Sequence, residues 1–241
     1  GGTSMKDVAV KESAIFKQIE HWRRQKAVTG DKEKANILPF VTISREYGCG
    51  GFDLAVKLSD ILNNEYNAMP IWAAYDKQIL DTITTDLGLT QKLTDTLTNA
   101  ARSKMTELFQ TTFSKFPPQV AVYRKLAEVI RTMAINGHVV IVGRAGNIIT
   151  RGIPYGLHVR IVAPLAYRVE RIAAKNKVTK AEAKRIIEKK ENERESFIKV
   201  FLKFDLEDTH NYDIVANNER FAIDELARLI IETMKHKGIL V

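Results

Sequence analysis

The chain has 241 residues, is 45% hydrophobic, and carries 37 basic against 29 acidic side chains for a net charge of +8. This supports one large α/β domain, or a domain with an insert, rather than a disordered chain, and its basic balance suits a phosphate-rich ligand or a nucleic acid. The single cysteine, Cys49, excludes an intrachain disulfide framework and fits a reducing cytoplasm, and no apolar run of about 18 residues is present to span a membrane.

Residues 1–4, before Met5, read as a cloning remnant without fold information. Residues 8–28 read as a charged helix with Ile15, Phe16, Ile19 and Trp22, stopped at Thr29-Gly30. Such an arm is expected to pack on the outside of the domain or to serve a homodimer contact. The β-branched run Val41-Thr42-Ile43-Ser44 follows Pro39 and reads as a buried strand. It turns through Gly48-Cys49-Gly50-Gly51 into an amphipathic helix with Leu54, Leu58, Ile61 and Leu62 on one face.

Strand, glycine-rich turn and helix make an anion site. The first N–H groups of the helix lack internal partners, and glycines let a phosphate approach them. A tight structural bend would account for the turn taken alone. A standard P-loop, G-x-x-x-x-G-K-[ST], also needs a lysine and a hydroxyl; Gly51 and Asp53 stand in those slots.

A second strand is expected over residues 69–75, followed by a helix capped by Asp76. Residues 90–116 carry a polar helical pattern that reads as an inserted segment ending at Phe116-Pro117-Pro118. The next helix, about 119–136, stops at Asn136-Gly137. The run His138-Val139-Val140-Ile141-Val142 has the character of a buried parallel strand and ends in Gly143-Arg144-Ala145-Gly146. Strands are also expected over 157–162 and 212–216, and a last helix over about 222–236. Alternating strands and helices imply a parallel sheet, which binds ligands beyond the carboxyl ends of its strands. The turns at Gly48 and Gly143 can therefore share one edge.

Residues 168–203 are charged and helical, with Thr179-Lys180-Ala181-Glu182 forming a capping box. They read either as a solvated face with i,i+4 ion pairs or as a mobile lid whose arginines close over phosphates. Cys49 lies at a helix N-terminus, which would lower a thiol pKa and permit a redox role; it also fits as a small residue in the turn. The histidines His21, His138, His158, His210 and His236 are scattered without metal-ligand spacing.

Together these blocks resemble the cytidylate-kinase-like family of P-loop phosphotransferases. The matching stretches are Ile43-Ser44-Arg45-Glu46-Tyr47-Gly48-Cys49-Gly50-Gly51, Tyr75-Asp76-Lys77-Gln78-Ile79-Leu80 and Val140-Ile141-Val142-Gly143-Arg144-Ala145. Arg168-Val169-Glu170-Arg171, Glu193-Arg194 and Tyr212-Asp213-Ile214-Val215-Ala216-Asn217 complete the set. The resemblance implies a three-layer sandwich around a parallel five-stranded sheet, with a helical NMP-binding insert at about 76–136 and a helical lid at about 168–203. It implies transfer of a phosphoryl group from ATP, with Mg²⁺, to CMP, dCMP or a related acceptor. Arg45, Tyr47, Gly48, Cys49, Gly50, Gly51 and Phe52 would hold the ATP phosphates. Arg144, Arg168, Arg171 and Arg194 would neutralise the developing charge, a task that suits the planar guanidinium.

Asp76 and Arg144 would meet the acceptor. Asp76 serves equally as a helix cap, Arg45 and Glu46 could form a buried pair, and Tyr47 could stack on a base or fill the turn. No metal site built from protein groups is implied, although Asp53 is a candidate ligand for nucleotide-borne Mg²⁺. The chain departs from the family pattern at Phe52, where an arginine is common. A turn lacking both cations leaves a second reading open, a nucleotide-binding regulatory or sensor protein with little turnover. Nucleic-acid binding is disfavoured, because no recognition module is legible.

Overall fold

The computed structural model describes residues 5–29, 38–99, 101–103, 121–198 and 204–240. Among them, β1 (Phe40–Arg45), β2 (Ala73–Tyr75), β3 (Val139–Val142), β4 (Gly156–Val162) and β5 (Ile214–Asn217) form one sheet. Every neighbouring pair is parallel, in the order β2-β3-β1-β4-β5. Strand β1 is central: Val41 stands between Val140 of β3 and Leu157 of β4. Chain order reverses across it, so the crevice beyond its carboxyl end is the natural ligand site of this sheet.

The period of two in the strands sorts side chains onto two helical layers. Phe40, Tyr75, Val139 and Ile141 face one way, into a cluster built with α1 (Met5–Thr29), α3 (Lys77–Thr85), α4 (Leu87–Thr94) and α5 (Ala121–Asn136). Val41, Ile43, Val140 and Val142 face the other way, under α2 (Gly51–Tyr66) and α9 (Ile223–His236). The expected α2 stripe of Leu54, Leu58, Ile61 and Leu62 is buried there. A short helix, α6 (Gly146–Ile149), follows β3. Helices α7 (Leu165–Asn176) and α8 (Lys180–Phe197) form a hairpin between β4 and β5. Among the described residues no helix is long and apolar enough to cross a membrane.

Three expected boundaries shift for identifiable reasons. Strand β2 starts only at Ala73, because Asn63 grips both backbone groups of Trp72 at 2.7 and 2.9 Å and Pro70 has no N–H to offer. Helix α4 begins before the expected residue 90, since the Asp86 carboxylate accepts from the Leu89 N–H at 3.0 Å and starts the helix at Leu87. The stretch 168–203 holds two helices: Lys177 turns left-handed with φ 55°, and Thr179 then caps α8 by accepting from the Glu182 N–H. Residues 1–4, Gly30, Phe116-Pro117-Pro118, Phe201 and Lys203 lie outside the described residues.

Helix α1 is built into the core. Ile15, Ile19 and Trp22 are at most 2% exposed and join the cluster beneath α3 and α5. Gln18 is fully buried and donates to the carbonyls of Ile71 and His138 at 2.7 and 3.0 Å, while its own oxygen accepts from the Tyr75 hydroxyl. The Ile15–Trp22 stripe is therefore not free for a second subunit. Trp22→Ala is expected to cost about 3–5 kcal/mol of stability, read as a lower urea midpoint. An unchanged midpoint would show that α1 is dispensable to the fold.

Candidate active site

At the carboxyl end of β1, Glu46 N–H donates to the Ile161 carbonyl at 3.0 Å and Cys49 N–H returns to the Glu46 carbonyl at 3.3 Å. Gly48 and Gly50 have φ of 98° and 67°, a region that excludes most side chains without strain. Gly50 caps α2, and the helical ladder begins with Leu54 N–H on the Gly50 carbonyl. The N–H groups ahead of Leu54 lie outside that ladder, giving an anion-attracting helix end. Two arginines lie against it. A Cβ on Gly51 would sit 3.1 Å from Arg45 Cγ, and one on Gly50 would overlap Arg171 Nη2. Arg171 also pairs with Asp53 at 2.9 Å.

Cys49 corrects an expectation. Its side chain points into the α2 core and is 1% exposed, away from the helix N–H groups that would acidify it. Burial first, and Glu46 second, push its thiol up to about 12. The residue is a small apolar filler, and its carbonyl accepts from Asn218 Nδ2 at 2.6 Å.

The α7–α8 hairpin is tied to the turn by Arg168. This guanidinium, 8% exposed, meets Glu46 at 3.5 Å and Glu191 at 2.8 Å. It also donates to the carbonyls of Ala163 and Tyr47 at 2.9 and 3.2 Å. Glu191 in turn accepts from the Tyr47 N–H at 3.2 Å, and the Tyr47 side chain packs on the hairpin's apolar seam of Val169, Ile172, Ala183 and Ile187.

A cavity of about 340 Å³ opens between β1, β3, α6 and α8. Arg45, Arg144 and Arg194 line it together with Ser44, Tyr47, Asn147, Lys77 and Lys190. Arg194 donates to the Arg45 carbonyl. Burial lowers its pKa despite the nearby Glu191. Burial and the neighbouring Arg194 and Arg144 push Arg45 down to about 10, with Asp76 acting the other way, so Arg45 stays charged at neutral pH. Arg144 forks onto both oxygens of Asp81 from α3. Gly143, Arg144 and Ala145 all have positive φ, 77°, 52° and 53°. The two non-glycine residues are held there by Gly146 N–H on the Gly143 carbonyl and Ile149 N–H on the Ala145 carbonyl.

Of the predicted site residues, Arg45, Tyr47, Arg144 and Arg194 share the cavity. Arg171 lies over the Gly50 turn, and Arg168 sits beneath it as a tether. Asp76 caps α3 by accepting from the Ile79 N–H at 3.1 Å. It also lines an adjoining open cleft of about 510 Å³ with Phe52, Gln78 and Asp81. Among the described residues no three His, Cys, Asp or Glu side chains gather to hold a metal. Sequence reasoning passed over Lys77, Asp81, Asn147, Lys190 and Arg160. Arg160 is 6% exposed, lies 5.7 Å over the Tyr212 ring and acts on Arg194. A lone arginine inside the apolar run Leu157–Val162 was the signal available for it.

Comparison with known proteins names the arrangement. The sequence pattern of the cytidylate kinase-like family matches residues 40–220, from β1 past β5. The chain belongs to the cytidylate kinase-like family. It is therefore nucleotide-kinase-like, and α1 and α9 are additions outside the family span that nevertheless complete its two cores. A crystal structure of an uncharacterised protein from Eubacterium ventriosum superposes with a TM-score of 0.62 at 21% identity, covering 82% of this chain and 98% of that one. At that identity the likeness is one of fold. A uronate isomerase from Corynebacterium glutamicum is 27% identical over 104 residues, 43% of this chain. The chain spans about a fifth of that relative's length.

Two outcomes follow for this cytidylate kinase-like site. The native Cys49 thiol is expected to resist a thiol reagent at pH 8 and to react promptly in denaturant; fast native labelling would contradict its burial. Arg168→Ala removes the guanidinium shared by Glu46 and Glu191, leaving Arg194 at 3.8 Å from Glu191 as the remaining paired cation, and should lower stability by about 3–5 kcal/mol in urea titrations. A loss under about 1 kcal/mol would place the network among weak surface pairs.

Proposed function

We propose that the protein transfers the terminal phosphoryl group of ATP to a nucleoside monophosphate, CMP or dCMP by family resemblance. An oxygen of the acceptor phosphate attacks the γ-phosphorus, the bond to the bridging oxygen breaks, and ADP leaves. The observation that carries this reading is the convergence of Arg45, Arg144 and Arg194 on one cavity at the carboxyl ends of β1 and β3. Phosphoryl transfer needs positioning and cationic stabilisation more than covalent help from the protein, and guanidinium groups supply both. The Gly48–Gly51 turn would act as a variant P-loop and take the donor phosphates on its N–H groups. Arg171 and Arg45 would stand in for the missing loop lysine. Arg144, anchored by Asp81, would hold the acceptor phosphate.

The α7–α8 hairpin would serve as the lid and α3–α5 as the acceptor-side insert. The chemistry expected of Mg²⁺ is charge neutralisation on the triphosphate. Such an ion is held mainly by phosphate oxygens and water with one or two carboxylates, and Asp53 on the first turn of α2 suits that part. Its pair with Arg171 would then have to loosen.

A second reading follows from Gly51 and Phe52, which leave the turn without a cation of its own. The protein would then bind nucleotide as a regulator or sensor with little turnover. ATP consumption with Mg²⁺ across CMP, dCMP, UMP, AMP and GMP separates the two. Turnover on CMP or dCMP is expected, with kcat falling roughly 10²–10³-fold in Arg144→Ala. ATP-dependent thermal stabilisation without turnover on any acceptor would favour the regulator and overturn the kinase.

A further inference from the structure

We propose that Asn147 reads the heterocyclic ring of the acceptor nucleotide, setting its affinity through a paired donor and acceptor on the ring edge. The inference rests on the kinase reading above and names a residue that reading leaves without a role. Asn147 follows the strained Gly143–Ala145 turn on α6 and lines the same cavity as Arg45, Arg144 and Arg194. It is 6% exposed, yet its Nδ2 finds no hydrogen-bond partner among the described residues. A buried amide N–H left unpaired is destabilising, and native interiors rarely keep one without a reason. Arg144 Nε and Arg194 Nε are unpartnered among the described residues as well, while Thr42 Oγ1 meets His158 Nδ1 at 2.8 Å and the Tyr212 hydroxyl donates to the Leu206 carbonyl at 3.0 Å with Ser44 Oγ 3.4 Å away.

The chemistry of the lining divides the cavity's tasks. Guanidinium and ammonium groups suit a phosphate, whereas a neutral amide gains little against an anion beside three arginines. Ile43, Ala145, Ile198 and Leu206 add apolar wall, which suits a flat ring and not a second phosphate. An amide presents N–H and C=O side by side, which matches a ring nitrogen beside an exocyclic amino group. Cytosine N3 and N4 form such an edge. A carboxylate at the same place would accept twice and donate nothing, matching instead the two adjacent donors of guanine.

The test is calorimetric binding of CMP, GMP and ribose 5-phosphate to the wild-type chain, Asn147→Ala and Asn147→Asp, alongside melting temperature and acceptor KM. In Asn147→Ala, CMP affinity is expected to fall about tenfold or more, while ribose 5-phosphate affinity and ATP KM hold. Its melting temperature should stay level or rise, because an unpaired polar group leaves the interior. Asn147→Asp should shift preference from CMP towards GMP. Equal loss for CMP and ribose 5-phosphate, or a large drop in melting temperature in both variants, would mean a structural role and overturn the inference. Unchanged CMP affinity in Asn147→Ala with normal turnover would overturn it and leave the kinase reading standing. Failure of the wild-type chain to bind any of the three ligands would overturn both.

Discussion

The site depends on one buried node, the Arg168 guanidinium with Glu46 and Glu191. Its contacts join four pieces of chain: the turn after β1, the end of β4, and both helices of the hairpin. Glu46 adds a bond from the Ala163 N–H at 2.9 Å, so the same carboxylate pins β4 to the turn. Removing two carboxylates and a guanidinium from water is costly, and only dense hydrogen bonding offsets it. Residues three positions along a helix share a face. With Arg168 fixed on α7, Arg171 lies over Gly50; with Glu191 fixed on α8, Arg194 reaches the Arg45 carbonyl. The tether thus aims the two arginines that face the turn and the cavity.

Charge is concentrated where the sheet provides least compensation. Arg194 acts on Arg45 and is itself acted on by the buried Arg160, and burial lowers the pKa of Arg45 and Arg194. Arg144 is neutralised by Asp81, and Lys190 by Glu193 at 3.1 Å. With Glu191 at 3.8 Å from Arg194, the pairing is uneven and basic groups predominate around the cavity at the carboxyl ends of β1 and β3. The field of such groups in a walled cavity attracts anions strongly, since low-dielectric surroundings screen it poorly.

Much of this was legible from period and punctuation. Alternating runs and glycine turns gave five parallel strands and the shared edge of the Gly48 and Gly143 turns. What stayed hidden depends on distance in three dimensions. Helix α1 read as an outer arm because its charged residues mask a short stripe, and nothing local shows Gln18 reaching Ile71 and His138. For Cys49 the sequence left two roles open, a lowered-pKa thiol and a small turn residue, and the structure shows the second, because a position at a helix N-terminus does not say which way the side chain points. Arg168 and Arg171 looked alike in sequence, yet one turn of helix separates a buried tether from a group at the glycine turn. Asn147 carried no signal, because an amide after a glycine turn looks like ordinary loop chemistry.

Charge reaches the glycine turn from outside it, since Gly48-Cys49-Gly50-Gly51-Phe52 carries no cation. A standard P-loop carries its cation within the loop, one residue from the phosphate-binding amides. Here Arg171 and Arg194 come from the hairpin, on helices that start more than a hundred residues later in the chain. Arg171 therefore reaches the turn, and Arg194 the cavity beside it, only while the hairpin stays docked. With α7 and α8 withdrawn, the first turn of α2 would keep Asp53, whose negative charge opposes a phosphate, and lose the arginine that neutralises it. Linkage requires that any anion gaining affinity from the docked hairpin must stabilise docking by the same factor. On the kinase reading, the share of phosphate affinity that Arg171 supplies would be coupled to hairpin position, while Arg45 on β1 stays beside the turn throughout.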